Sequence, residues 1–453
     1  MEAFQYHVYI CDQKKPEGVP GCAAAGSGKV IEAMRREVGR QGLGDKVQIT
    51  TCGSLGLCEW GPNMVVYPEG VWYCGVMPED VPQIVREHFG EGTVVARLAK
   101  DDVNALRAEI DKNKARMMAA MKARDEAGVL PDDLLQMIRG FQESRIILTA
   151  LELDLFSAIG KGATAVEAAG KIKADARAVE KLLDALVALE LLTKIKERFF
   201  NSQNSARYFM EDSPDSCRLA QIHTANLWQR WSTLTECVRQ GTSVTYTEMA
   251  ERGDAWTAPF IAAMHKNSLA RAPQVVRAVG AEKINRMLDI GGGSAGYSIA
   301  FAKANPHLTG VVFDLPAVVS IARANIEQAG LANRLSVQPG DMRTDDFGRG
   351  FDLVLLSAIC HMNGPQQNIE LLEKSGKALI PGGRIVIQDF ILNEDKTSPR
   401  TAALFAINML VGTLNGSTYA ESEYGDWLRQ AGFTSIERLR LPGPTGLLVA
   451  FKP

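Results

Sequence analysis

Met287-Leu288-Asp289-Ile290-Gly291-Gly292-Gly293-Ser294-Ala295-Gly296 is the stretch on which the fold turns. An apolar strand is expected to run into a glycine-rich turn and re-emerge as a helix over Tyr297 to Lys303. Glycine lets the backbone turn without steric penalty and lets a ligand approach closely. The Gly-x-Gly-x-x-Gly spacing alone serves dinucleotides and S-adenosylmethionine (SAM) equally, so the downstream segments decide. A second strand, Leu308 to Phe313, ends in Asp314-Leu315-Pro316, a place where a carboxylate bonds ribose hydroxyls. A third, Leu335 to Gln338, ends in Gly340-Asp341-Met342, an acceptor beside an apolar shelf for adenine. A fourth, Phe351 to Leu356, leads to Ser357-Ala358-Ile359-Cys360-His361.

This series resembles the SAM-dependent O-methyltransferases that include the plant caffeic acid and hydroxyindole enzymes, over roughly Asp132 to Pro453. The "Phe-Asp-Leu-Pro" segment counts against the alternative, a Rossmann dehydrogenase. The resemblance implies Asp289, Gly291 and Gly293 in the cofactor loop, Asp314 on the ribose, Asp341 and Met342 at the adenine, and His361 as base. Leu315 and Ser357 complete the expected SAM-contacting set.

The 453 residues are enough for two or three domains, and 46% hydrophobic with 23% charged residues is ordinary for a globular chain. A net charge of -3 gives no electrostatic reason to expect nucleic acid. No apolar run reaches the length of a membrane span and no signal pattern opens the chain, so a cytoplasmic protein without membrane contact is expected. Eight cysteines in so long a chain do not form a secreted disulfide framework, and five of them fall in the first 74 residues.

Cys11 and Cys22 flank a loop containing Pro16, Gly18, Pro20 and Gly21; Cys52 and Cys58 bracket Gly53-Ser54-Leu55-Gly56-Leu57. A helix (Ser27 to Gly39) and a strand (Lys46 to Thr51) separate the pairs, which can converge on one metal centre. Four thiolates ligate a 2Fe–2S cluster, whereas structural zinc prefers shorter spacing within each pair. The segment Phe4 to Gly92 resembles a thioredoxin-like 2Fe–2S ferredoxin, through His7-Val8-Tyr9-Ile10-Cys11, Gly21-Cys22, Leu55-Gly56-Leu57-Cys58 with Gly61-Pro62, Val65 to Tyr73, and Pro78 to Val81. One ligand position of that family falls on Ser54 here, with Cys52 as its substitute two residues earlier in a flexible loop. The expected ligands are therefore Cys11, Cys22, Cys52 and Cys58, with Cys74 outside the set. Gly26-Ser27-Gly28-Lys29 is not a P-loop, because Ala23 and Val30 occupy its flanking positions.

The expected organisation is multidomain α/β. A thioredoxin-like domain over 1–95 is followed by a helical linker over 96–130, read as solvated, and a winged-helix dimerisation domain over 131–212. Residues 213–453 form a helical acceptor region with a Rossmann-like SAM methyltransferase domain. Ile146, Ile147, Leu148, Leu151, Leu153 and Leu155 are expected to meet a partner copy, and a homodimer is implied by the resemblance. Trp228, Trp256, Phe260, Met264, Asn267, Asn408 and Met409 are expected around a flat, largely apolar acceptor.

SAM carries an already electrophilic methyl group, so the protein need only desolvate and align the acceptor and take its proton. His361, just past a strand's carboxyl end, suits that proton transfer. The resembling enzymes follow this base with Asp, whereas Met362 stands here, leaving Asp389 or Glu394 to orient the imidazole. His223 and His265 read as surface or core residues and Cys360 as structural. The leading reading is an O-methyltransferase acting on a small acceptor, with a fused cluster that senses redox state or docks an electron partner. The alternatives are a SAM-binding redox enzyme fed by the cluster, C-methylation, and a redox-responsive regulator. Radical SAM chemistry lacks its three closely spaced cysteines.

Overall fold

The computed structural model describes residues 4–15, 19–248 and 251–453. Pro16 and Gly18 of the loop after Cys11 lie outside the described residues. The chain forms two compact units, Met1–Gly140 and Phe141–Pro453.

In the first unit β1 (Tyr6–Cys11), α1 (Ser27–Arg40) and β2 (Val47–Cys52) form a βαβ unit. The two strands are parallel and in register from Tyr6 opposite Val47 to Cys11 opposite Cys52. Antiparallel β3 (Asn63–Tyr67) and β4 (Val71–Cys74) and a short β5 (Ala99–Lys100) extend the sheet in the order β2-β1-β3-β4-β5. Alternation puts Tyr6, Val8 and Ile10 inward, and Val30, Met34 and Val38, spaced by helical turns, cover that face. Cys52 ends β2, so it sits on a strand and not in the flexible loop that the sequence suggested.

The linker also differs from its expectation. It begins with β5 and continues as α2 (Val103–Glu126), which is not solvated throughout. Leu106 is buried with Leu57 and Cys74, Ile110 packs against them, and Glu109 and Asn113 are buried. Lys112 and Arg116 both pair with Glu59. Gly56 has φ +84, and an added Cβ there would stand 3.0 Å from Ile110, so α2 closes over the Cys52–Cys58 loop.

The second unit opens with α3 (Phe141–Glu152), α4 (Ala165–Ile172), α5 (Ala176–Ala188) and the hairpin β6 (Leu192–Ile195) and β7 (Arg198–Asn201). Thr164 caps α4 by accepting the Glu167 N–H, and Glu167 returns the bond to the Thr164 N–H. Leu148, Leu151 and Leu155 are buried in this module's own core with Phe156, Leu183 and Phe199, and Ile146 and Ile147 pack on it. The apolar stripe expected to meet a partner is thus internal, except for Leu153, which is exposed. Periodicity identifies a buried face without naming what buries it.

After α6 (Arg218–Trp231) and α7 (Asp254–Val279) comes the main sheet. Its elements are β8 (Arg286–Ile290), α8 (Gly296–Ala304), β9 (Thr309–Asp314), α9 (Pro316–Gln328), β10 (Leu335–Pro339), β11 (Phe351–Ser357), α10 (Pro365–Ala378) and β12 (Leu379–Asp389). Then follow α11 (Arg400–Gly412), α12 (Glu421–Gln430), β13 (Thr434–Leu439) and β14 (Gly446–Phe451). The sheet order is β10-β9-β8-β11-β12-β14-β13, with the last two strands forming the expected antiparallel hairpin. Leu353 to Leu356 are wholly buried, because helices cover both faces of the parallel strands. The strand order reverses direction around β8 and β11, so their carboxyl ends open the crevice where ligands bind in such sheets.

Candidate active site

Two glycines shape the loop after β8. The Gly291 N–H donates to the Phe313 carbonyl at 2.7 Å; its φ is +66, and an added Cβ would collide with Ile359. Gly293 also has positive φ (+57), but nothing lies within 4 Å of where its Cβ would stand. That open concavity fits a ligand resting directly on backbone. Asp314, at the end of β9, accepts the Gly293 N–H at 2.8 Å and the Leu315 N–H at 2.7 Å, clamping the loop to the end of that strand. Burial raises its pKa and these two N–H bonds oppose the rise. The loop, Asp314 and the strand ends together fit SAM.

The other expected cofactor residues are placed less uniformly. Asp289 is turned into the core: it is fully buried, Oδ2 accepts from Ser298 Oγ at 2.7 Å, and Oδ1 has no partner. Burial pushes its carboxyl up to about 6. It supports the loop from beneath. Asp341 is paired with Arg343 at 2.8 Å, which holds its carboxyl below the usual range, and Arg343 also reaches Glu248 at 3.2 Å. Met342 packs half-buried on the core, and its carbonyl accepts from Lys374 at 3.0 Å. Ser357 donates to Gln388 Oε1 at 2.6 Å. His265, read from the sequence as a surface or core residue, meets Ser294 Oγ at 2.9 Å and joins α7 to the glycine loop.

His361 sits in a single turn, Cys360–Met362, just beyond β11, and is 6% exposed. Its Nδ1 lies 2.7 Å from Asp389 Oδ1, and its backbone N–H donates to Asp389 Oδ2 at 3.1 Å. A carboxylate only accepts, so Nδ1 carries the proton and Nε2 presents its lone pair. Asp389, fully buried at the end of β12, takes the place of the missing following Asp; Glu394 instead binds Ser422. Phe405 meets the imidazole edge-on at 4.9 Å and stacks on Phe390 at 4.0 Å, a dry apolar wall beside the base. Cys360 is buried, which raises its thiol well above 9 and fits a structural role.

Of the expected acceptor residues, Trp256 and Phe260 stack at 4.9 Å on α7, with Met264 half-buried one turn further. Asn408, on α11, accepts from Trp231 Nε1 at 3.0 Å, and Met409 is buried beside it. Trp228 and Asn267 are not brought to this group. Trp228 packs on the α3–α5 core with the Arg145 guanidinium 5.6 Å from its ring, and Asn267 is exposed. Sequence reasoning missed Arg230 and Arg252 and set His223 aside as a surface or core residue; all three stand around Trp256, and helical patterning carries no signal for which polar residues share a pocket.

In the first unit all five cysteines are free. The Cys11 thiol is lowered, first by its neighbour Cys22 and, against burial, by the backbone N–H groups of Gln13 and Leu55. Cys52 is the strand-register partner of Cys11. Cys58 is engaged elsewhere, receiving Lys15 Nζ at 2.9 Å and lying 3.5 Å from Ser54 Oγ. Among the described residues no three His, Cys, Asp or Glu side chains gather as a metal site. The four expected ligands are therefore only partly assembled, and no chemical step is derived through them. Cys74 is buried apart from them with Leu57 and Leu106, and burial pushes its thiol up to about 11.

A glycine loop, a strand-end carboxylate and a histidine–aspartate pair at one sheet edge fit a methyltransferase, and comparison with known proteins places the chain further. Residues 231–434 match the O-methyltransferase domain and 135–212 the O-methyltransferase dimerisation domain. A 3-hydroxy-5-methyl-1-naphthoate 3-O-methyltransferase from Streptomyces sahachiroi is 33% identical over 334 residues, 71% of this chain and 95% of the relative. The L-tyrosine C(3)-methyltransferase of Streptomyces lavendulae is 35% identical over 173 residues, 37% of this chain and 47% of the relative. Among solved structures, PigF with SAH superposes with a TM-score of 0.66 at 27% identity, covering 72% of this chain and all of PigF; a PigF is known from Serratia. The chain belongs to the SAM-dependent O-methyltransferase family and carries that family's dimerisation domain. Among the described residues no helix is long and apolar enough to cross a membrane.

Proposed function

We propose that this O-methyltransferase moves a methyl group to the hydroxyl of a small aromatic or conjugated acceptor, with His361 as general base. The observation that carries the reading is the His361–Asp389 pair, with Nε2 left free at the carboxyl end of β11. SAM supplies an electrophilic methyl on a sulfonium. The chain's own part is to hold Nε2 within hydrogen-bond reach of the acceptor hydroxyl, take its proton, and keep water out with Phe390, Phe405, Trp256 and Phe260. Gly291, Gly293, Asp314, Leu315, Asp341, Met342 and Ser357 are assigned to the cofactor side, with Asp289 as the support beneath the loop. Met264, Asn408 and Met409 are assigned to the acceptor side. General-base removal of this kind is worth about 10²–10⁴ in rate.

The test is a turnover assay with hydroxynaphthoates and simple phenols, counting SAH against methylated product and locating the new methyl. SAH in step with an O-methyl ether supports the reading. Methyl on carbon would favour the second reading, to which the similarity with an L-tyrosine C(3)-methyltransferase lends support. A product formed with SAM intact would sink both. The redox alternative is not favoured, since the relatives are methyltransferases.

For the first unit we propose a thioredoxin-like 2Fe–2S domain, ligated by Cys11, Cys22, Cys52 and Cys58 and open to an electron-transfer partner. Support comes from the βαβ-then-hairpin sheet order and from the Cys11–Cys22 contact with N–H groups aimed at Cys11. An iron and sulfide count on anaerobically purified protein tests it. Two irons per chain, lost in Cys52→Ser and kept in Cys74→Ser, is the expected result, and a colourless iron-free protein rejects the cluster.

A further inference from the structure

A cationic group gathers around Trp256. On α6, Arg230 sends its guanidinium to 5.5 Å from the Trp256 ring centre; Arg252 stands over the same ring at 4.2 Å. His223 completes the group, edge-on to Trp256 at 5.8 Å and to Phe260 at 5.2 Å. Arg230 is half-buried, it makes a long hydrogen bond (3.5 Å) to the Gly412 carbonyl, and no carboxylate among the described residues pairs with it. Glu248, whose charge acts on Arg252, is paired with Arg343 at 3.2 Å. Arg252 itself donates to the Thr247 carbonyl at 2.7 Å.

Two further atoms point into this space. Trp256 Nε1 and His223 Nδ1 are buried and bond to nothing. Buried polar atoms left without partners cost about 1–3 kcal/mol each, and like charges side by side add to that. His223 is held down to about 4, first by burial and then by both arginines, so the three groups share one low-dielectric space. Such an arrangement is stabilised by an anion. The group is also joined to the base: Arg230 meets Gly412 and Trp231 meets Asn408, both on α11, whose Phe405 lies against His361.

We propose that the acceptor is a hydroxylated aromatic acid, and that Arg230 and Arg252, standing over Trp256, hold its carboxylate and thereby select which hydroxyl faces His361. The proposal rests on the aromatic-acceptor reading above. A planar guanidinium matches a carboxylate in bidentate fashion, and the Trp256–Phe260 stack offers the ring a flat face.

The experiment compares a hydroxynaphthoic acid, its methyl ester and the parent naphthol as acceptors, in wild type, Arg230→Gln and Arg230→Lys. In the wild type the acid-to-ester ratio of kcat/KM is expected to be about 10–100, the worth of a charged hydrogen bond. In Arg230→Gln that ratio falls at least tenfold, with KM for the acid rising, and Arg230→Lys restores part of it. SAH affinity by calorimetry stays at the wild-type value, which shows that the fold and cofactor site are intact. Equal use of acid and ester by the wild type, or an unchanged ratio in Arg230→Gln, overturns the proposal. If no hydroxyaromatic is turned over, the general reading fails separately. Tryptophan quenching by the acid and not the ester, lost in Arg230→Gln, still upholds the anion site, and its absence rejects it.

Discussion

In the proposed mechanism His361 serves as base because Asp389 fixes which nitrogen is protonated. Asp389→Asn frees the ring to flip its tautomer, so kcat is expected to fall about 10²–10³-fold with little change in SAH affinity, and His361→Ala to fall about as far. Additive losses in the double variant would show that the two do not act as a pair. The Asp389 partnership was half-legible: sequence offered Asp389 and Glu394 as equals, and only the register that ends β12 beside β11 separates them. Asp289 shows another case, a motif residue whose side chain is turned into the core. Its folded pKa, about 6, exceeds the unfolded 3.8, so it favours the folded state fully below about pH 4. That contribution is lost as pH rises through 6, on the order of 2–3 kcal/mol. The urea midpoint of ligand-free Asp289→Asn should therefore gain on wild type between pH 4 and pH 7; a constant gap would mean that the carboxyl is not burdened in this way.

Elements were read well where pattern and burial agree. The β8–β12 strands, the glycine turn and the closing hairpin were legible because buried parallel strands are continuous apolar runs flanked by turn residues. The linker helix was misread because its polar residues dominate composition, although Leu106 and Ile110 are enough to dock it. Leu106→Ala should cost the first unit about 2–4 kcal/mol, seen as faster proteolysis between residues 50 and 110, with methyl transfer unchanged. Equal proteolysis would return the helix to a solvated linker. The dimerisation module was legible as helices plus a hairpin, but the face it offers a partner was not, since the stripe that looked available is its own core.

For the molecule as a whole, the dimerisation domain calls for an exposed apolar surface. Leu134, Met137 and Ile138 are exposed on one helix, Asp132–Arg139, with Met137 74% exposed. Sedimentation equilibrium should give a dimer, and Met137→Asp with Ile138→Asp should shift it toward monomer; an unaltered dimer would place the interface elsewhere. Saturation with SAH at about 100 times its Kd should stabilise the fold by about 2.7 kcal/mol through linkage. Gly293→Val should abolish that shift, because a branched side chain is strained at positive φ and fills the open concavity.

The helix that closes over the Cys52–Cys58 loop has a kinetic consequence. Cys58, in that loop, and Cys74, packed with Leu106, are each less than 8% exposed, so in metal-free protein an alkylating reagent reaches them only during excursions that lift this cover. If such an excursion costs about 5 kcal/mol, the thiols are available roughly one part in several thousand of the time, and labelling slows by that factor. The rate at which these sulfurs acquire a label is then a clock for the breathing of this unit, readable one cysteine at a time by mass spectrometry without any assay of catalysis.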